Sequence, residues 1–487
     1  MPRAAPRMTL EHLTALLAGW QDGAGPLYLR LAGALRVLAE RGTVCTGIRL
    51  PSERALAAAL HVSRNTVTTA YGRLRDDGWL VGGRGTVARV GAVAPRTPGG
   101  DETPDDPLAG LFPPGRAPRL DLTLADPDAA PAVLDGLAQP RLLLPSPAAH
   151  ASGYHPAGHP VLLEAIARKL RGDGIDAHPE EIVVTNGAQQ ALALAAEVLY
   201  RPRRPFAVEA VTYPGIIDAV RRRGRGQLIA LPVEDSGLEA EAAARLIRAT
   251  SPAAVFLTAF HNPTGYAVDR NGADALLTAA QTAGSAIVED RVLADLPLDG
   301  QGPPVPLAAL RPGTAVLTVG SLSKVFWGGL RIGWIHTNRT LAAHLRVRRR
   351  ALDLGSAAPM QLLAAWLLDQ HYRETRQWRI ARLRSSLAAL TGAISAADLG
   401  WRYRVPKGGP NLWVRLPRPV AQSFAGQAAQ GGVPIAAGAT FAATPGMAGE
   451  MIRIPFFPPP EELTAAVDLL AAIWRRQTQQ AKRPLLR

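Results

Sequence analysis

The sequence predicts a chain of more than one domain: a small, mainly α-helical unit that closes in a β-hairpin, then, across a linker, a large α/β unit with a mostly parallel sheet. Three observations carry this. The 487 residues exceed one typical domain, and a 47% hydrophobic content suffices for at least one large core. Residues 91–118 hold twelve Gly or Pro beside the acids Asp101, Glu102, Asp105 and Asp106, a composition that favours no regular element. Beyond residue 119, apolar β-rich runs (182–184, 254–257, 286–288 and 316–319) alternate with Ala/Leu-rich helical stretches, as βαβ units require. The boundaries that follow are an N-terminal extension 1–24, the small unit 25–92, the linker 93–118, the large unit 119–478 and a basic tail 479–487.

Lys and Arg number 54 against 40 acids, giving a formal charge of +14 and a pI near 10.7, which favours an anionic partner. No apolar run is long enough for a membrane span, and Glu11 and His12 break up the only candidate signal core, so the expectation is a cytoplasmic chain with no membrane partner. The single Cys45 excludes an intramolecular disulfide and a cysteine-based zinc cluster, and is expected as a small buried side chain; no metal site is expected. Only four lysines occur, at 169, 324, 407 and 482. Where charge alone is needed this chain uses Arg, so a retained lysine points to amine chemistry.

In the small unit, Leu27, Leu31, Ala34, Leu35 and Leu38 share one helical face. Ser52 in Leu50-Pro51-Ser52-Glu53-Arg54 is placed to cap a second helix, which ends at a His61-Val62 turn. A third helix opens at Ser63, with Val67, Ala70, Tyr71 and Leu74 inward and Arg64, Asn65, Thr68 and Thr69 outward. Residues 79–81 and 86–90 can pair across Gly82-Gly83-Arg84-Gly85 as a hairpin. An Arg/Asn/Thr face at a helix N-terminus suits a major groove, where Arg can bridge guanine and Asn adenine. Residues 1–90 carry twelve Arg, no Lys and six acids, which fits a phosphate backbone. Together, the 50–54 and 62–67 motifs and the Tyr71/Leu74/Gly78 finish resemble the GntR family of winged helix-turn-helix domains. The resemblance implies a double-stranded DNA operator as partner, contacted by Arg54, Ser63, Arg64, Asn65, Thr66 and Thr68, with Arg84 at the wing tip.

In the large unit, residues 182–185 run into Asn186-Gly187-Ala188-Gln189 and a helix, a strand–turn–helix whose free N–H groups can cradle phosphate. His261-Asn262-Pro263-Thr264-Gly265, Glu289-Asp290 and Ser321-Leu322-Ser323-Lys324 each follow a strand, and Arg331 lies seven residues past the lysine. A pyridoxal cofactor needs a lysine for a Schiff base, a carboxylate for the pyridine nitrogen, a donor for the ring oxygen and polar groups for the phosphate. Residues 119–478 resemble the class I/II aminotransferases of fold type I, and their coupling to a GntR-type head resembles the MocR subfamily of transcription regulators. That resemblance implies pyridoxal 5'-phosphate on Lys324, Asp290 at the pyridine nitrogen, Asn262 at the ring oxygen and Tyr213 stacked on the ring. Gly187, Ala188, Ser321, Ser323 and Arg331 would hold the phosphate, with the choice between the two serines open. Arg453, in Ile452-Arg453-Ile454, would grip the carboxylate of a small amine or amino acid effector, and Tyr154 would reach a partner's phosphate in a homodimer.

One departure stands out. Where many relatives carry a tyrosine two residues after the aspartate, this chain has Val292, which has no donor for the ring oxygen and makes efficient transamination less expected. The function expected is thus a ligand-responsive DNA-binding regulator; the alternative is a working aminotransferase with an accessory head. The arginine runs 201–204, 221–225 and 346–350 are expected as solvated faces.

Overall fold

The computed structural model describes residues 10–17, 20, 26–40, 50–76, 80–81, 89–90, 120–143, 152–223, 228–311, 314–444 and 446–482. Arg84, Cys45, Gly78 and the 93–118 linker lie outside them.

The small unit is built on helices Leu27–Glu40, Glu53–Ala59 and Arg64–Asp76, followed by the antiparallel pair Leu80–Val81 and Arg89–Val90. Ser52 caps the second helix by accepting from Ala55 N, and Ser63 Oγ accepts from Thr66 N at the start of the third. The turn between them passes through His61 at φ +53, a left-handed conformation that glycine adopts more easily. Leu31, Leu35, Leu38, Leu56, Leu60, Val67, Ala70, Tyr71 and Leu74 form the core. Leu27, expected inward, is 41% exposed because it opens its helix. Helix Leu10–Leu16, within the stretch read as an extension, brings Leu13, and just past it Leu17, into the same core.

The large unit centres on a seven-stranded sheet. Its order is Ile182–Thr185, Gly333–His336, Val316–Ser321, Ala286–Asp290, Ala254–Thr258, Phe206–Glu209 and Leu228–Leu231. Gly333–His336 runs antiparallel to both neighbours, and the other pairs are parallel. Strand alternation feeds two cores: Ala254 and Phe256 pack on one face with helix Gly187–Leu199, Val255 and Leu257 on the other with helix Arg270–Ala283. A four-stranded antiparallel sheet follows, ordered Arg402–Tyr403, Asn411–Arg415, Met451–Pro455 and Ala436–Ala437. Helix Pro460–Lys482 runs past the boundary read at 478.

The arginine runs are not uniformly solvated. Arg349 is fully buried, donating to Val184 O and Ser356 Oγ and paired with Asp353, while Arg204 ties down the carbonyls of Ser251, Pro252, Ala283 and Gly284.

Candidate functional site

In the small unit Arg54, Ser63, Arg64, Asn65 and Thr69 are exposed, so the first turn of helix Arg64–Asp76 presents a polar, cationic face. Thr66 is half-buried, its hydroxyl 2.8 Å from that of Ser63. Thr68 departs from the expected outward position. Its hydroxyl donates to Glu53 Oε2 at 2.9 Å, and Arg75 meets the other oxygen of that carboxylate at 3.3 Å, so Thr68 fastens the two helices together and Thr69 holds the open position.

In the large unit the sheet brings the expected residues to one edge. Gly187, Tyr213, Asn262, Asp290 and Lys324 all follow or end strands at the carboxyl side of the sheet, where open α/β sheets bind ligands. Asp290 is half-buried at the end of its strand and accepts from Val292 N at 2.9 Å. Burial pushes its carboxyl up to about 6, with Glu209 and Glu289 raising it further and Val292 N–H and Lys324 opposing. Tyr213 is pushed up to about 12 by burial and by the charges of Asp290 and Asp126. Gly215 lets its ring approach, because a Cβ there would lie 2.4 Å from Tyr213 Cε1.

The turn expected to cradle phosphate is shaped at its backbone. Gly187 has φ +74, a conformation that favours glycine, and its bare Cα lets the Arg331 guanidinium approach, since a Cβ would lie 2.5 Å from Nη2. Arg331 Nη2 donates to Asn186 O at 2.7 Å, and the Gly187 and Ala188 amides open the helix. Ser321 is buried with its hydroxyl shared between Ile332 O and Ser323 Oγ, whereas Ser323 is half-buried.

Lys324 Nζ donates to Ala125 O at 2.8 Å and to Asp126 Oδ1. Arg453 is 3% exposed, lies 4.7 Å from the Phe441 ring centre and donates through Nη2 to Thr123 O, while its buried Nε has no partner among the described residues. Burial pushes its guanidinium down to about 10, against the charges of Asp126, Tyr213 and Asp121. Tyr154 is 66% exposed in the protomer.

The sequence reading missed several groups here. Asn411 Nδ2 donates to Asn262 Oδ1 at 3.2 Å, while the buried Oδ1 of Asn411 has no partner among the described residues; the Gly408-Gly409-Pro410 turn before it was the available signal. Glu209 is fully buried, accepting from Thr258 N, Thr258 Oγ1 and Thr212 Oγ1, and burial pushes it up to about 7. His261, 3.9 Å away, is pushed down to about 4 by burial, so it faces Glu209 as the neutral ring, bonded to Val211 O and Thr264 Oγ1. Asp126 carried no motif at all.

A DNA-reading head joined to an aminotransferase-type body is a transcription regulator built around a small-molecule fold. Comparison with known proteins agrees. The class I and II aminotransferase family matches residues 139–470, and the gntR family of bacterial regulatory proteins matches residues 27–90. The chain belongs to the MocR subfamily of GntR-type regulators. It is 30% identical over 420 residues to the HTH-type transcriptional regulator TauR of Rhodobacter capsulatus, covering 81% of this chain and 85% of TauR. With the probable rhizopine catabolism regulatory protein MocR of Rhizobium meliloti it shares 29% over 435 residues, covering 84% and 86% of the two chains. The α-aminoadipate aminotransferase LysN of Thermus thermophilus has the same fold as the large unit, with TM-score 0.68 and 24% identity over 74% of this chain and 93% of LysN. Such a fold implies use of pyridoxal phosphate. Among the described residues no helix is long and apolar enough to cross a membrane, and no cluster of His, Cys, Asp and Glu could hold a metal.

Proposed function

We propose that this regulator binds pyridoxal 5'-phosphate at Lys324 and senses a small amine or amino acid there, as a homodimer whose two heads read one operator. The observation that carries the reading is the gathering of complementary groups past the carboxyl ends of the strands: Lys324, the Asp290 carboxylate, Asn262 held by Asn411, Ser323 and Arg331 beside the bare Gly187, and Arg453, whose buried Nε has no partner among the described residues. Buried polar atoms normally have partners, so the open Arg453 Nε–H fits an acceptor such as a carboxylate brought by the ligand.

When bound, the cofactor supplies an aldehyde that takes up a primary amine reversibly. The chain's part is positional. Asp290 places a carboxylate for the pyridine nitrogen, Tyr213 a ring to stack, and Asn262, held by Asn411, a donor for the ring oxygen. Gly187, Ala188, Arg331 and Ser323 hold the phosphate; Ser323 is favoured over Ser321, whose hydroxyl already serves Ile332 O. Arg453 offers its free Nε to a carboxylate. Val292 leaves Asn262 without the second donor expected of an efficient transaminase, which supports sensing over turnover. Tyr154, exposed in the protomer, is placed to meet a second copy, and Arg54, Ser63, Arg64, Asn65 and Thr66 to meet DNA.

The test is borohydride reduction of the protein with added pyridoxal phosphate, then peptide mapping. The cofactor mass is expected on the peptide carrying Lys324, and mass spread over several lysines would refute the assignment.

A further inference from the structure

At the start of helix Gly187–Leu199, whose first amides are assigned above to the phosphate, the cap residue Asn186 gives no side-chain hydrogen bond to its own helix. An asparagine at this position ordinarily accepts from the second or third amide of the helix, here Ala188 or Gln189. Asn338 does so at the start of helix Arg339–Asp353, where its Oδ1 accepts from Leu341 N at 3.0 Å. The Asn186 side chain is drawn the other way. Its Oδ1 accepts from Ser356 Oγ at 2.7 Å, and its Nδ2 donates to Asp353 Oδ2 at 2.9 Å.

Behind both partners stands Arg349. It is fully buried, donates through Nη2 to Ser356 Oγ at 3.0 Å and through Nε to Val184 O at 3.1 Å, and pairs with Asp353. A hydroxyl has one proton, so a guanidinium donating to the Ser356 oxygen directs that proton to Asn186. Ser356 is held from its main chain as well, its carbonyl accepting from Nε2 of the buried Gln361 at 2.7 Å. The amide oxygen that would otherwise close the first turn is therefore engaged elsewhere, and the helix keeps its N-terminal N–H groups for an anion.

We propose that Arg349 is a positioning residue of the phosphate turn: through Ser356 and Asp353 it holds the Asn186 side chain off its own helix, so that the amides after Asn186 serve the cofactor phosphate. This deepens the functional reading and rests on it. Arg349 acts through Asn186, and its loss lets an asparagine return to the cap it ordinarily forms, in competition with the phosphate.

The experiment compares uptake of pyridoxal phosphate and of pyridoxal, which lacks the phosphate, in wild type, Ser356→Ala and Arg349→Lys. The readout is the concentration that half-saturates the borohydride-reduced adduct on Lys324. In both variants the preference for the phosphorylated aldehyde is expected to fall about tenfold, the weight of one hydrogen bond to a charged acceptor, while uptake of pyridoxal stays as in wild type. In Asn186→Ala, which has no side chain to return, adding Ser356→Ala is expected to lower the preference no further. Ser356→Ala removes a single oxygen and carries the test should Arg349→Lys fail to fold. Equal weakening for the two aldehydes, an unchanged preference in Ser356→Ala, or a further fall in the double variant overturns the role of Arg349 and leaves the functional reading standing. A wild type that takes up neither aldehyde on Lys324 overturns the functional reading itself, and one that takes up both alike overturns the phosphate turn and Arg349 with it.

Discussion

The head and the body of this molecule carry their function in opposite ways. In the head the polar frame is closed on itself, with Ser52 and Ser63 capping helices and Glu53 joined to Thr68 and Arg75, and the groups for the partner stand in solvent. In the body the groups proposed for the ligand are mostly half-buried, with Gly187, Ser321 and Arg453 buried, and Arg453 Nε has no partner among the described residues. Two lysines show the contrast within the body. Lys169 is buried and satisfied by Asp173 at 2.8 Å and Asp295 at 3.1 Å, a structural ion pair, whereas Lys324 holds a half-exposed aspartate and a main-chain oxygen that a ligand can take from it. The lesson is that the head's polar frame is complete within itself, while a ligand taken up by the body as proposed must also stabilise the body.

The largest effect belongs to the open site. Lys324→Ala is expected to abolish covalent cofactor uptake outright, read as loss of the reduced adduct mass; an adduct of unchanged yield would break the contrast between the two lysines. In the head, Arg64→Ala is expected to weaken operator binding about ten- to a hundredfold, the roughly 1–3 kcal/mol of a bidentate base contact, and to relax sequence preference. Titration at fixed salt checks this, and a loss uniform across sequences would move Arg64 to the phosphate backbone.

Two carboxylates of the body, Glu209 and Asp290, give it a pH signature. Glu209 stays protonated to about 7 in the fold against 4.5 ordinarily, so the folded state keeps a proton that the unfolded chain releases in between. Body stability is therefore greatest below about 4.5 as far as Glu209 is concerned and falls as pH climbs through about 7. Asp290 acts with the same sign up to about 6, so the interval above 6 reports Glu209 most directly. Thermal melts of Glu209→Gln across that range should show a shallower fall than wild type; parallel curves would contradict the assignment. Smallest is His61→Gly at the left-handed turn, expected to stabilise the head by about 1 kcal/mol, read by denaturant unfolding of the head signal.

Much of this was legible in the sequence for a physical reason. The two-residue alternation of the strands and the helical spacing of Val67, Ala70, Tyr71 and Leu74 are local patterns, and Gly187, Asn262, Asp290 and Lys324 sit in short motifs just past strands. Arg349 could have been found the same way, since it continues the inward face of Ala342 and Leu345, but its basic neighbours masked it. Asp126 and Glu209 were not legible, and Asn411 had only the turn before it. Asp126 meets Lys324 198 residues away, Asn411 meets Asn262 149 away and Glu209 meets Thr258 49 away, so only the folded path of the chain reveals these pairings.

The central claim is that occupancy of the Lys324 site alters how the head reads DNA. Fluorescence anisotropy of the operator with wild type and Lys324→Ala, each titrated with and without pyridoxal phosphate and an amino acid, tests it most directly. The account predicts an operator affinity that responds to ligand in wild type and not in the variant; a response of equal size in both would contradict it.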